Sequence, residues 1–195
     1  MLFARCLCLA LVPLPVLADP CHDELAYILA KPLYANVPYE ASASGKIGNM
    51  ASITHQLFMS DTHSLITTIE PKGMPDTLFY NGGTYHPDGN GGWKLLYSTD
   101  LDAYVKGLKT TRKAQSENIL EAYCERVEID GKAYEIVSGT IDIVPPWQSQ
   151  LEVEYMIATD TGLPKTFIYA YEMNGQPALS RFDYTARPDL ELPTP

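Results

Sequence analysis

The chain is short of cysteine, short of positive charge, and has no apolar run long enough to cross a bilayer. Only four of its 195 residues are cysteine, and two of these, Cys6 and Cys8, fall in the first eighteen. Lysine and arginine total 14 against 24 aspartate and glutamate, a formal charge of −10. That balance argues against nucleic acid, which needs clustered cations on its phosphates, and against electrostatic docking on anionic lipid. The apolar run Leu7–Leu14 is interrupted by Pro13 and followed by Pro15. It falls short of the roughly 17 to 25 residues needed to span a membrane. Catalytic signatures are missing too. Ala41-Ser42-Ala43-Ser44-Gly45 is not a G-x-S-x-G elbow, Gly45-Lys46 lacks the rest of a P-loop, and no H-E-x-x-H occurs.

What is present points first to export. Arg5 gives a positive start, the apolar run follows, and Val16-Leu17-Ala18 places small residues at the −3 and −1 positions. Residues 1–18 therefore read as a signal peptide cleaved before Asp19. The remaining 177 residues carry a charge of −11 and suit one domain, 19–186, with a loose proline-containing tail, 187–195. Only Cys21 and Cys124 survive cleavage. In an oxidising compartment they most simply form one disulfide. Asp19 and Pro20 stand where a lipobox needs small residues, so Cys21 is not lipidated and no membrane anchor is expected.

The pattern along the chain is mostly β. Cys21–Leu29 reads as a short helix with acids in its first turn and Pro32 beyond its end. Runs at Thr54–Met59, Ser64–Glu70, Asp76–Tyr80, Thr84–His86 and Trp93–Tyr97 read as strands, with Asn81-Gly82-Gly83 a hairpin turn. Thr99 is placed to cap a mid-chain helix whose Leu101, Val105 and Leu108 share a face. Strands resume at Glu121–Ile129, Lys132–Gly139, Leu151–Ile157, Pro164–Glu172 and Ala178–Tyr184, with Asp130-Gly131 and Asn174-Gly175 as turns. These nine or ten strands with hairpin links predict an α+β, mostly β fold. Its core is a curved antiparallel sheet, an unclosed β-barrel meander, with an N-terminal and a mid-chain helix.

Candidate chemistry is thin. His55, Asp61 and His63 could be imagined around a metal, but no paired spacing supports it, and no metal or other cofactor is expected. Asp88–Gly92 lacks the glutamate a calcium loop needs at its twelfth position, where Thr99 stands. Glu152 and Glu154 share one strand face opposite an apolar one, which makes them a solvated surface rather than a glycosidase pair. No nucleophile, base and orienting group occur together, so no catalytic residue and no enzymatic activity are expected.

Lys31–Tyr39, Leu78–Tyr85 with Gly91–Lys94, Cys124–Tyr134, and Met156–Lys165 with its Asp160-Thr161-Gly162-Leu163-Pro164 hairpin resemble, in that order, the LolA/LolB-like fold. The resemblance covers most of 21–184. It implies a half-barrel whose concave side, plugged by helices, receives acyl chains or hydrophobic segments without catalysis. It also implies a periplasmic location. The lipoprotein carriers of this fold latch their helical lid with an arginine on an early strand. No arginine occurs here between Arg5 and Arg112, so the resemblance is to a relative with different cargo. On this reading Phe58, Ile66, Phe79, Trp93, Tyr155 and Phe167 line a cavity for a lipid or other hydrophobic ligand. The alternative is an envelope protein-interaction module with a packed core, its contact loop at Pro87–Gly92.

Overall fold

A computed structural model describes residues 19–32 and 37–195; the leader read at 1–18 lies outside the described residues, as does 33–36 of the first resembling segment. Helix α1 spans Pro20–Ala30. Asp19 caps it, its carboxylate accepting from the Cys21 amide at 3.0 Å. Pro20 sits at the first helical position, where a missing N–H costs nothing. Six strands follow: β1 (Tyr39–Ile47), β2 (Met50–Ser60), β3 (His63–Glu70), β4 (Thr77–Tyr80), β5 (Gly83–Pro87) and β6 (Trp93–Ser98). Helix α2 (Leu101–Glu117) leads into β7 (Ile119–Ile129), β8 (Lys132–Ile141), β9 (Leu151–Ala158), β10 (Pro164–Met173) and β11 (Gln176–Ala186). The α2 cap is Asp100, which accepts from the Ala103 amide at 2.7 Å. Thr99, the residue expected there, instead gives its N–H to Gly82 at 2.8 Å.

All eleven strands form one sheet in the order β6-β5-β4-β3-β2-β1-β11-β10-β9-β8-β7, antiparallel throughout. Its edges, β6 and β7, do not pair, so the barrel stays open. Two meanders build it, and β1 joins them by pairing with both β2 and β11. The central strand β1 is the one the residue pattern did not reveal. After Tyr39 its inward side chains are small, because Ala41 lies opposite Tyr184 and Ala43 opposite Phe182, whose rings fill the space above. The turns at Asn81, Asp130 and Asn174 take positive φ (46°, 51° and 52°), as the right-handed hairpin twist requires.

Both helices lie against one face. α1 buries Leu25 and Leu29 among Val137, Ile141, Val144, Leu151, Val153 and Tyr155, and the Cys21–Cys124 disulfide ties it to β7. Gly139 makes this contact possible. A Cβ there would stand 2.3 Å from the Glu121 carbonyl oxygen and 2.5 Å from Leu25 Cδ2. α2 packs on α1 and, unlike it, buries no residue. None of the described helices is long and apolar enough to cross a membrane.

The tail expected to be loose makes definite contacts. The Arg187 amide donates to the Pro38 carbonyl, its guanidinium pairs with Glu40 and Asp189, Leu190 is buried, and His63 Nε2 lies 2.9 Å from the Pro193 carbonyl oxygen. Register puts Glu40 and His63 on the outer face, so the tail crosses the outside of the first meander.

Candidate functional site

The site follows from one rung of the sheet. Pairing sets Tyr39 opposite Phe58, Phe58 opposite Ser64, Ser64 opposite Phe79, Phe79 opposite Thr84 and Thr84 opposite Tyr97. At the usual strand spacing these six residues run about 24 Å across β1–β6. All six line a cavity of about 670 Å³. Tyr104, Val105 and Leu108 of α2 form the opposite wall, and Ile66 and Thr77 add a second row on the sheet side. The Phe79 and Tyr104 rings meet at 5.0 Å.

The mouth is polar. Ser60, Asp61 and Thr62 of the β2–β3 turn border it. Arg112, two turns along α2 from Tyr104, grips Asp61 with both arms, each N–H···O distance being 2.8 Å. This bidentate pair fastens the helix to the sheet across the cavity. Burial and the nearby Asp61 carboxylate raise the Tyr104 hydroxyl above the usual phenol range, while Arg112 opposes that. On the sheet side Ser64 and Thr84 are buried at 7% exposure each, flanking Phe79.

The structure separates the six residues expected to line one cavity. Phe58, Ile66 and Phe79 come together in it. Tyr155 and Phe167 belong to the other half, where their rings stack at 4.5 Å and border a smaller hollow of about 250 Å³ beside α1. Burial pushes the Tyr155 hydroxyl far above its ordinary value. Trp93 is a correction. A bulge at Leu96, between the Thr84–Tyr97 and Tyr85–Leu95 pairs, reverses the alternation of β6. Tyr97 therefore faces the cavity and Trp93 the outer face, although sequence alternation puts them in one phase. Ser64, Thr84, Tyr104 and Arg112 were not singled out from sequence. Arg112 stands four residues after Leu108, one turn further along the Leu101–Leu108 face, which was the available signal, but its partner lies 51 residues away.

The other candidates stay apart. His55 and His63 share the outer face, but register sets them about 13 Å apart along the strand. Asp61 is turned to Arg112. Among the described residues no three His, Cys, Asp and Glu side chains gather in a way that could hold a metal. Glu152 and Glu154 are exposed on the outer face. In the Pro87–Gly92 loop, Asp88 accepts from the Asn90 and Gly92 amides at 2.7 and 2.9 Å. These hold its carboxyl below the ordinary range and the loop in shape.

No protein family model and no curated protein match the chain. Among solved structures it is similar to a LolA superfamily protein from Nitrosomonas europaea, with 11% identity over 87% of this chain and 92% of that one, at a TM-score of 0.38. It is also similar to MucB, with 11% identity and a TM-score of 0.46, and to the Pseudomonas aeruginosa MucA/MucB complex, with 15% identity and a TM-score of 0.45. It covers 87% and 86% of itself in those two comparisons but spans only 58% and 56% of the matched chains. No residue role is carried across at such identities, so the cavity's own residues decide what it can hold.

Proposed function

We propose that this chain is an exported periplasmic binding or carrier protein that holds a lipid, acyl chain or other hydrophobic ligand in the half-barrel cavity and performs no catalysis. One observation carries the reading: a space of about 670 Å³ stays open between α2 and the first meander, walled by Phe58, Ile66, Phe79, Val105 and Leu108. Its size lies in the range of small-ligand pockets. Apolar walls around a cavity of this size gain contact energy from a guest of matching size. Native mass spectrometry of protein purified without detergent, followed by solvent extraction, tests it. A released adduct, absent from the Phe79→Arg variant, is the expected result. A bare polypeptide mass from every preparation overturns it.

A second reading, an envelope protein-interaction module, draws on the free edge β6. Its Leu95, Leu96 and Tyr97 are 49%, 48% and 60% exposed beside backbone that pairs with no further strand among the described residues, next to the Pro87–Gly92 loop. Such an edge can accept a strand from another protein. A stoichiometric partner recovered by pull-down and lost in Leu96→Lys favours this reading.

A further inference from the structure

We infer that the cargo is an uncharged amphiphile: a single-chain lipid whose head offers hydroxyl or ester groups, rather than a fatty-acid anion or a phospholipid. This rests on the carrier reading and names the substrate class of the same cavity.

The first support is charge. Among the described lining residues Asp61 is the single carboxylate, and there is no lysine, arginine or histidine. Both Asp61 oxygens accept from Arg112, so the mouth carries a closed, neutral pair with no cation left for a carboxylate or phosphate. His86 and Lys94 lie past the rung, outside the lining; His86 Nε2 sits 3.3 Å from the Thr77 hydroxyl. An anionic head drawn into this space leaves water without a counter-charge, which is the costliest kind of burial. A cationic head gains nothing either, because Asp61 is already matched.

The second support is the placing of hydroxyls. Ser64 and Thr84 sit on either side of Phe79 in the rung, and Ser60, Thr62 and Thr77 lie along the same wall. Hydroxyls both donate and accept, so they suit the hydroxyl and ester oxygens of an uncharged head. The α2 wall opposite them is Val105 and Leu108, with the Tyr104 ring against Phe79, which suits the chain. A polar-dotted floor under an apolar roof matches an amphiphile lying flat between them.

The test is a titration of delipidated protein at neutral pH with 1-monooleoylglycerol, oleate and oleoyl-lysophosphatidylglycerol, each below its micelle concentration. Displacement of the uncharged probe N-phenyl-1-naphthylamine is the readout. Monooleoylglycerol is expected to compete at concentrations about tenfold lower than either anion. Ser64→Ala and Thr84→Val are each expected to weaken it roughly threefold relative to the probe, whose affinity is measured directly in each variant. Either anion binding as tightly as monooleoylglycerol overturns the inference and leaves the carrier reading standing. So do two folded variants with unaltered monooleoylglycerol affinity. Failure of the probe and all three lipids to bind overturns the carrier reading, and the inference with it.

Discussion

Two rungs cross the inner face of one sheet and are used differently. Cys124, Val137, Tyr155, Phe167 and Phe182 are paired in line across β7–β11. They meet α1 through a disulfide and a buried leucine pair, with Val137 at 0% and Tyr155 at 5% exposure. Tyr39, Phe58, Ser64, Phe79, Thr84 and Tyr97 are paired in line across β1–β6 and meet α2, which buries nothing. Both halves have the same backbone plan. The filled half spends its aromatics on one another: Tyr155 on Phe167, Phe167 on Phe182, and Trp147 on Tyr169 and Tyr171. In the open half hydroxyls interrupt the aromatics, and the roof, which packs on α1, meets the sheet through Arg112–Asp61 and the Phe79–Tyr104 ring contact. The packed core therefore lies in one half and the cavity in the other.

The largest expected effect separates the halves directly. Phe167 is partly buried but stacked between Tyr155 and Phe182, so Phe167→Ala should cost about 3 kcal/mol in urea unfolding, and Phe79→Ala under about 1.5 kcal/mol. Equal losses would break the distinction between a filled and an open half. Replacing Cys21 and Cys124 by alanine comes next. A link between residues 103 apart removes unfolded-chain entropy, and its loss should cost about 2–5 kcal/mol. Amide exchange should then quicken in α1 first.

Asp61→Asn should change global stability by less than about 1 kcal/mol, because the pair is partly exposed. Exchange in α2 should nevertheless rise while α1 stays protected. Unaltered α2 protection would mean that something other than this pair holds the roof. The smallest effect is one of pH, on the outer face of the filled half. Arg181 and Thr166 hydrogen bonds hold the Asp183 carboxyl below its ordinary value of 3.8. A lowered folded-state value stabilises the protein above the unfolded value and is lost as pH falls through the folded one. Asp183→Asn should flatten the acid limb of the stability curve below about pH 4, slightly because the group is exposed. A steeper limb in the variant would contradict this sign.

Much of this architecture was legible locally. The first-turn acids and Pro32 marked α1, and Asn81-Gly82, Asp130-Gly131 and Asn174-Gly175 marked hairpins through their tolerance of positive φ. Counting the cysteines left one pairing once the leader was set aside, and the structure has it. The readings that missed depended on a neighbour distant in the chain. β1 lacks large apolar alternation because the rings it serves belong to β11. Trp93 left the cavity through a bulge forced by pairing with β5, and the α2 cap moved by one residue because Thr99 bonds Gly82.

By itself, then, the sequence determined the antiparallel class, the two helices and the disulfide, since capping, turn chemistry and period-2 patterning act within a few residues. Only the tertiary structure decided that Tyr155 and Phe167 fill one half while Phe58, Ile66 and Phe79 face a space in the other. Both sets have the same apolar phase, and what distinguishes them is the helix lying above: a disulfide-bound one that sinks two leucines into the sheet, or one that buries no residue and is tied to the sheet by an ion pair. That choice depends on contacts between residues from 51 to more than a hundred positions apart, which no local pattern records.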